Sequence, residues 1–358
     1  MRLVCRLASI VSSLSGVIAA PAFADVALEG ESFSFSDTLD IASILDGIEG
    51  GSFERGENSF THNEVALTVR RGGFEASLLT RYDYVAEYTE DTGELIYEVN
   101  NDVPIVAGQY DLSIELNEAW TSGIRVGYRH ELIDGVGVSA RISGLFGHQI
   151  TDGSFEGVGD AVVDEGLGLS GDLDYFYTNP LLFDPDSDAP SGVGYAVDLG
   201  IDWKINDRVE LDVQVRDLFA EIFWSDAART VADVDTQTFE FDDDGLLIVR
   251  PTISGQFSNE DHTQRLQTRV HADAEIELTE RWRAGQTLFA ARDDMLSETR
   301  LAYKAFKEFE VSAHAEWRTG ALGLGLRWHG LELQIASDEF DPSEAKYLRA
   351  SAVLRVEF

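Results

Sequence analysis

Residues 346–358 read KYLRASAVLRVEF. At period two, Leu348, Ala350, Ala352, Leu354, Val356 and Phe358 fall on one side, with Tyr347, Arg349, Ser351, Val353, Arg355 and Glu357 on the other. Successive side chains of a strand point to opposite faces, so the stretch is a strand with one apolar and one mostly charged face. A half-buried strand of a soluble sheet alternates in the same way. The rest of the chain decides which solvent the apolar face meets.

The pattern recurs upstream. In FEVSAHAEWR, Phe309, Val311, Ala313, Ala315 and Trp317 oppose Glu310, Ser312, His314, Glu316 and Arg318. ALGLGLRWHG sets Leu322, Leu324, Leu326 and Trp328 against Gly323, Gly325, Arg327 and His329, and RVHADAEIEL sets Val270, Ala272, Ala274, Ile276 and Leu278 against Arg269, His271, Asp273, Glu275 and Glu277. Val193, Tyr195, Val197, Leu199, Ile201 and Trp203 alternate with residues including Asp198 and Asp202, and Val209, Leu211, Val213 and Val215 alternate with Asp212 and Arg216. These runs of about 9 to 11 residues suit a tilted strand crossing a bilayer core. The aromatics at their ends fall where interfacial girdles form. A greasy exterior rich in alanine and a charged interior fit lipid outside and water inside.

The N-terminus supports export. Arg2 and Arg6 precede an apolar run that ends at Ala22-Phe23-Ala24, the plan of a secretory signal peptide over residues 1–24. The single cysteine, Cys5, lies inside that segment, so a mature chain has no disulfide framework and no thiol nucleophile. Removing Arg2 and Arg6 takes the formal charge from −38 to −40. So acidic a chain is a poor partner for nucleic acid, whose binding relies on Lys and Arg neutralising phosphates. No later apolar run approaches the length of a transmembrane helix.

Joins at 204–208, 279–281, 306–308 and 329–330 are tight, whereas 84–107, 179–191, 225–263 and 339–346 read as long polar connections. Short turns on one edge and long loops on the other are the asymmetry of an outer-membrane barrel. The expected fold is all-β: a transmembrane antiparallel up-and-down barrel of about 14 strands, range roughly 12 to 16, with short periplasmic turns and long acidic outer loops. Residues 62–358 are assigned to it. Residues 25–61 read as a lead-in holding a short helix over 36–48, capped by Ser36, that could plug the lumen.

The chain resembles outer-membrane β-barrel proteins of Gram-negative bacteria, whose last strand commonly ends on Phe after alternating apolar residues. Phe358, Val356, Leu354 and Ala352 match. The resemblance implies an assembly signal read by the barrel-assembly machinery, contact with outer-membrane lipid and lipopolysaccharide, and a bacterial outer-membrane location. Size and loops are similar to hydrophobic-solute transporters of the fatty-acid-uptake type and to general porins, without the transporters' N-terminal plug motif.

Within this fold the candidate lumen-lining residues are Arg125, Arg129, Asp198, Asp202, Asp212, Arg216, Arg269, Asp273, Glu275, Glu310, His314, Glu316, Arg318, Arg327, Arg349 and Arg355. They could set selectivity along a solute path or form a salt-bridged filling. Asp184, Asp186 and Asp188 alternate like the start of a calcium loop but lack its glycine and distal glutamate, so solvation is the plainer reading. No other cofactor is expected. RYDYVAEY (81–88) and DYFY (174–177) read as girdle aromatics. His271 and His314 face inward, but no nucleophile motif accompanies them. The functional expectation is a channel or transporter for passive passage of an unidentified small solute, with acidic outer loops enriching cations. A closed structural or binding barrel and an outer-membrane hydrolase stand as alternatives.

Overall fold

The computed structural model describes residues 25–45, 53–162, 166–179, 190–236, 239–241, 247–249, 252–292 and 294–357. The expected signal segment 1–24, Phe358 and the calcium candidates Asp184, Asp186 and Asp188 lie outside the described residues.

The strands are β1 (Asp25–Ser36), β2 (Asn58–Arg71), β3 (Phe74–Tyr88), β4 (Gly108–Ile133), β5 (Val136–Val162), β6 (Gly166–Tyr177), β7 (Ser191–Asn206), β8 (Val209–Asp235) and the small pair β9 (Phe239–Phe241) and β10 (Leu247–Val249). They continue with β11 (Thr252–Arg265), β12 (Arg269–Glu277), β13 (Trp282–Ala291), β14 (Asp294–Phe306), β15 (Phe309–Glu316), β16 (Leu322–Trp328), β17 (Leu331–Ser337) and β18 (Tyr347–Glu357). Among the described residues two helices, α1 (Ile41–Leu45) and α2 (Glu90–Asn100), lie in connections. Antiparallel pairing runs from β1 through β5 to β7, β8 and β12, then strand by strand to β18, which pairs back with β1. Fourteen strands thus close a ring with no free edge, the condition for spanning a bilayer with strands.

Which face meets lipid follows from exposure. Leu322, Leu324 and Ile335 are 69%, 70% and 56% exposed, whereas the alternate residues His314 and Ala336 are buried. Aromatics bound this outer belt at a recurring interval: Phe74 to Tyr82, Trp120 to Tyr128 and Tyr195 to Trp203 are each eight residues apart on their strands, and Trp317, just past the end of β15, lies eight beyond Phe309. That interval fits a belt crossed by strands of about 9 to 11 residues. Tight turns at 72–73, 134–135, 207–208, 307–308 and 329–330 share one edge with both ends of the described chain.

The wall is uneven. β4, β5 and β8 run 26, 27 and 27 residues, against 8, 7 and 7 for β15, β16 and β17. Above the belt the tall side widens: β6 inserts between β5 and β8, and β11 continues along β8 where β12 leaves off. Much of the expected connection 225–263 is therefore strand, and 84–107 holds the end of β3 together with α2. The reason is that alternation continues past the membrane, where neither face needs to be purely apolar.

The expected lead-in over 25–61 is also corrected. Asp25–Ser36 is a wall strand paired along its length with β18 and β2, so the barrel begins before residue 62. The helix inside that segment is a single turn in the β1–β2 connection. Its cap is Asp40, whose carboxylate accepts the Ser43 N–H at 2.7 Å, rather than Ser36, whose hydroxyl takes the N–H groups of Thr38 and Leu39.

Candidate functional site

Inward side chains divide the lumen into layers. Arg81, Glu64 and Glu31 occupy one rung across β3, β2 and β1. Arg81 gives two hydrogen bonds to Asp217 on β8, both 2.9 Å, and a third of 2.6 Å to Asp83. Arg269 on β12 reaches the same Asp217 at 2.6 Å and Asp83 at 3.4 Å, and His62 bonds Asp83 at 2.7 Å. Arg125 clasps Glu64 at 2.9 and 2.7 Å. Arg216 on β8 donates to Glu31 on β1 at 3.0 Å, six strands away around a fourteen-strand ring, so this bridge spans nearly the full lumen.

Asp217 can serve two guanidiniums because β8 is bulged beside it. Val197 and Leu199 of β7 pair with Phe219 and Val215, leaving extra residues on β8, and Asp217 takes φ of 56°. Its backbone N–H, turned off the ladder, donates to Asp198 at 2.9 Å. Charges so buried are tolerated only when paired and hydrogen-bonded.

Toward the outer end the filling is apolar. Leu79, Leu145, Ile150, Ile222, Trp224 and Leu266 form one buried cluster on the tall side. Gln264, fully buried, ties it together by accepting from the Trp224 indole at 3.1 Å and donating to Asn117 and the Glu118 carbonyl. On the low side Phe33, Phe35, Phe60, Leu296 and Tyr347 pack together, and Phe33 meets Phe289 edge to face at 4.7 Å.

Open spaces lie at the turn edge and at mid-lumen. Two vestibules of about 810 and 580 Å³ face the turn edge. Arg281, Arg283, Lys304, Arg327 and Arg355 alternate in the first with acids such as Glu277, Glu310 and Glu332. A third cavity of about 430 Å³ sits between the charged layer and the phenylalanine cluster.

The sequence-derived lumen set distributes among these levels. Arg125, Asp198, Arg216 and Arg269 join the charged layer. Asp212, Asp273 and Arg349 line the 430 Å³ cavity, Arg349 lying 3.5 Å from Glu298. Glu275 pairs with Arg283 and Arg300, Glu310 with Arg283, Arg327 with Glu332, and Arg129 with Asp202, all toward the turn edge. Arg355 stands there too, 3.6 Å from Asp25. Glu316 accepts the backbone N–H groups of Arg318 and Thr319 at 2.9 and 2.7 Å, a turn-holding role at the opposite rim. Arg318 lies over the Phe35 ring at 4.7 Å and pairs with Asp294. Leu354 and Val356 face outward, 49% and 44% exposed. No cluster of three metal-ligating side chains occurs among the described residues.

Sequence reasoning missed the hub itself: Arg81, Asp83 and Asp217. RYDYVAEY was read for its tyrosines, and the alternate face, Arg81 and Asp83 two residues apart, was the available signal. Asp217 carries no such signal, because its inserted position breaks the alternation.

His314 sits between Glu298 and Ser312, its Nδ1 2.9 Å from the carboxylate and its Nε2 2.8 Å from the Ser312 hydroxyl. That is a hydroxyl, base and orienting acid in sequence. The space beside Ser312 is only about 20 Å³, room for about one water molecule.

The profile of a family of unknown function (DUF5723) matches residues 22–338. No curated protein matches the chain. Among solved structures, similarity extends to a deletion mutant of TodX described as a monoaromatic hydrocarbon channel, 10% identical, covering 94% of this chain and 91% of that one with a TM-score of 0.45. The Pseudomonas putida toluene transporter TodX is 9% identical, with 94% and 89% coverage and a TM-score of 0.40. A Pseudomonas aeruginosa FadL homologue is 11% identical, with 93% and 88% coverage and a TM-score of 0.39. These likenesses are low, and the ligands of those proteins do not transfer with them.

Proposed function

We propose that this chain, which belongs to the family of unknown function DUF5723, is an outer-membrane channel or transporter that carries small solutes through a lumen closed at rest. The observation that supports it is the filling of the barrel. A structural barrel has no need of space, yet two vestibules and a mid-lumen cavity stack against a layer held by ion pairs. The Arg216–Glu31 bridge joins side chains about 30% exposed, which can part at far lower cost than a packed core. Cations and acids alternate almost one for one along the vestibules, an arrangement suited to neutral solutes and weak ion selectivity.

Planar-bilayer recording of the refolded mature protein tests this. Wild type should be mostly closed with rare steps of weak selectivity, and Arg216→Gln with Glu31→Gln should raise the open fraction several-fold. A folded double variant as silent as wild type, with no solute entry into proteoliposomes, would leave the closed structural barrel as the better reading.

A hydrolase is the second reading, favoured only by the Ser312–His314–Glu298 chain. Labelling of Ser312 by a fluorophosphonate, lost in His314→Ala, would promote it.

A further inference from the structure

Four of the buried polar atoms that find no hydrogen-bond partner among the described residues belong to side chains around one space. They are His62 Nε2, Arg269 Nε, His271 Nε2 and Glu298 Oε2, and all four residues line the 430 Å³ cavity. Three of them are at least nine-tenths buried: His62 is 5% exposed, Arg269 9% and Glu298 4%. Four unpaired polar atoms gathered around one cavity mark a place where an occupant able to hydrogen-bond would be stabilised.

The chemistry these atoms ask for can be read from their bonded neighbours. His62 holds Asp83 through Nδ1, which places its proton there and leaves Nε2 as an acceptor. Glu298 engages His314 and Gln334 through Oε1, so Oε2 is a second free acceptor. Arg269 commits its terminal nitrogens to Asp217 and Asp83, leaving Nε–H as a donor. An occupant must therefore both donate and accept hydrogen bonds. It should not be an anion: Arg216, Arg269 and Arg349 already have carboxylates, and Asp212, Asp273, Glu316 and Glu332 add further negative charge to the lining. The outer side of the cavity is Phe33, Phe289, Leu296 and Tyr347, with Phe33 and Phe289 already edge to face. Rings favour such partners beyond simple area burial.

We propose that the mid-lumen cavity is a binding site for a small neutral amphipathic molecule, an aromatic ring bearing a hydroxyl, with the ring against Phe33 and Phe289 and the hydroxyl among His62, His271, Arg269 and Glu298. The volume falls within the range of small-molecule sites. The assignment rests on the transport reading for its purpose, but not for its test.

The test is calorimetric titration of the full refolded barrel with benzyl alcohol, benzoate and toluene, three probes sharing one ring. Saturable binding of benzyl alcohol, with benzoate and toluene at least tenfold weaker, is expected. His271→Leu removes an atom that has no partner, so the barrel should fold at least as stably as wild type while benzyl alcohol affinity falls tenfold or more. Ser351→Phe, which fills the cavity from β18 without touching the four polar groups, should abolish binding as well. Equal affinity for all three probes, binding unchanged in both folded variants, or no saturable binding would each overturn the site. Binding by a protein that passes no solute would refute the transport reading and leave the site standing; solute flux without binding would do the reverse.

Discussion

β5 and β16 obey one rule and end as opposites. β16 has seven residues, alternates without interruption, and shows Leu322 and Leu324 to the outside on strict parity. β5 has 27 and changes parity part-way: Leu145 and Ile150 are both buried in the same inner cluster although one number is odd and the other even. The cause is a bulge, since Trp120 and Thr121 of β4 face Gln149 and Gly147, leaving His148 as the extra residue. The low wall is thus a minimal membrane crossing. The tall wall spends its irregularities, at His148, Asp217 and Asp226, on moving side chains inward and on raising a sheet beyond the bilayer. A barrel wall gains height and a structured lumen through breaks in the very periodicity that makes it a wall.

The largest effect should come from breaking the tall wall's hub. Asp217→Ala leaves Arg81 and Arg269 buried beside a lost counter-charge, at a cost of about 3 to 5 kcal/mol. Arg327→Ala in the low wall removes a half-exposed guanidinium from Glu332 and, at 3.8 Å, from Glu310, pairs worth about 0 to 1 kcal/mol each. Urea titrations followed by tryptophan fluorescence compare the two; similar midpoints would mean that the hub is not what holds the tall side.

Next comes the lipid face of the low wall. Leu324→Arg puts a charge on the belt, costing about 2 to 4 kcal/mol, while Gln334→Arg on the inner face beside Glu298 and Glu332 should fold almost normally. The glycines flanking Leu324 are unsuitable controls, although their inward parity recommends them. A side chain at Gly323 would strike Ala336, and one at Gly325 would strike Ser312. Folded fractions read from heat-modifiable gel mobility decide the matter, and a failure of Gln334→Arg equal to that of Leu324→Arg would undo the facing assignment.

These contrasts also explain what the sequence could tell. Ring closure, strand facing and turn edge were legible because a lipid-facing strand must alternate and a closed barrel needs tight returns. Arg216 and Arg269 were legible as inward charges for the same reason. Asp217 was not, because a bulge removes a residue from the pattern that would reveal its direction, and its value depends on strands β3 and β12 that are distant in sequence. β1 was missed since FSFS alternates with hydroxyls on a strand whose phenylalanines point into the lumen cluster, the reverse of the usual polarity. The cavity was illegible altogether: it is assembled from residues on nine strands, and nothing local marks its orphaned atoms.

The smallest expected effect belongs to the sheet above the belt, where like charges oppose each other. Asp172 of β6 and Asp233 of β8 are directly paired, and the hydrogen bond and proximity between the two carboxyls push the Asp172 pKa above its ordinary value. A raised folded-state pKa means that the folded sheet binds this proton more tightly than the unfolded chain does. Its stabilising contribution is therefore present at acid pH and is lost as pH rises through the folded value. Both groups are open to solvent, so the change is modest and confined to the β6–β8 pairing. Hydrogen exchange, corrected for intrinsic rates, should show the amides of 170–177 and 228–235 better protected below the ordinary aspartate range, near pH 3.5, than near pH 7. Asp233→Asn should erase most of that difference by keeping one partner neutral throughout. If protection is the same at both pH values in wild type, the carboxyl contact is not sensed by the sheet, and the tall wall's outer part is held by its apolar faces, with Tyr175, Tyr177 and Ala228 as the residues to test next.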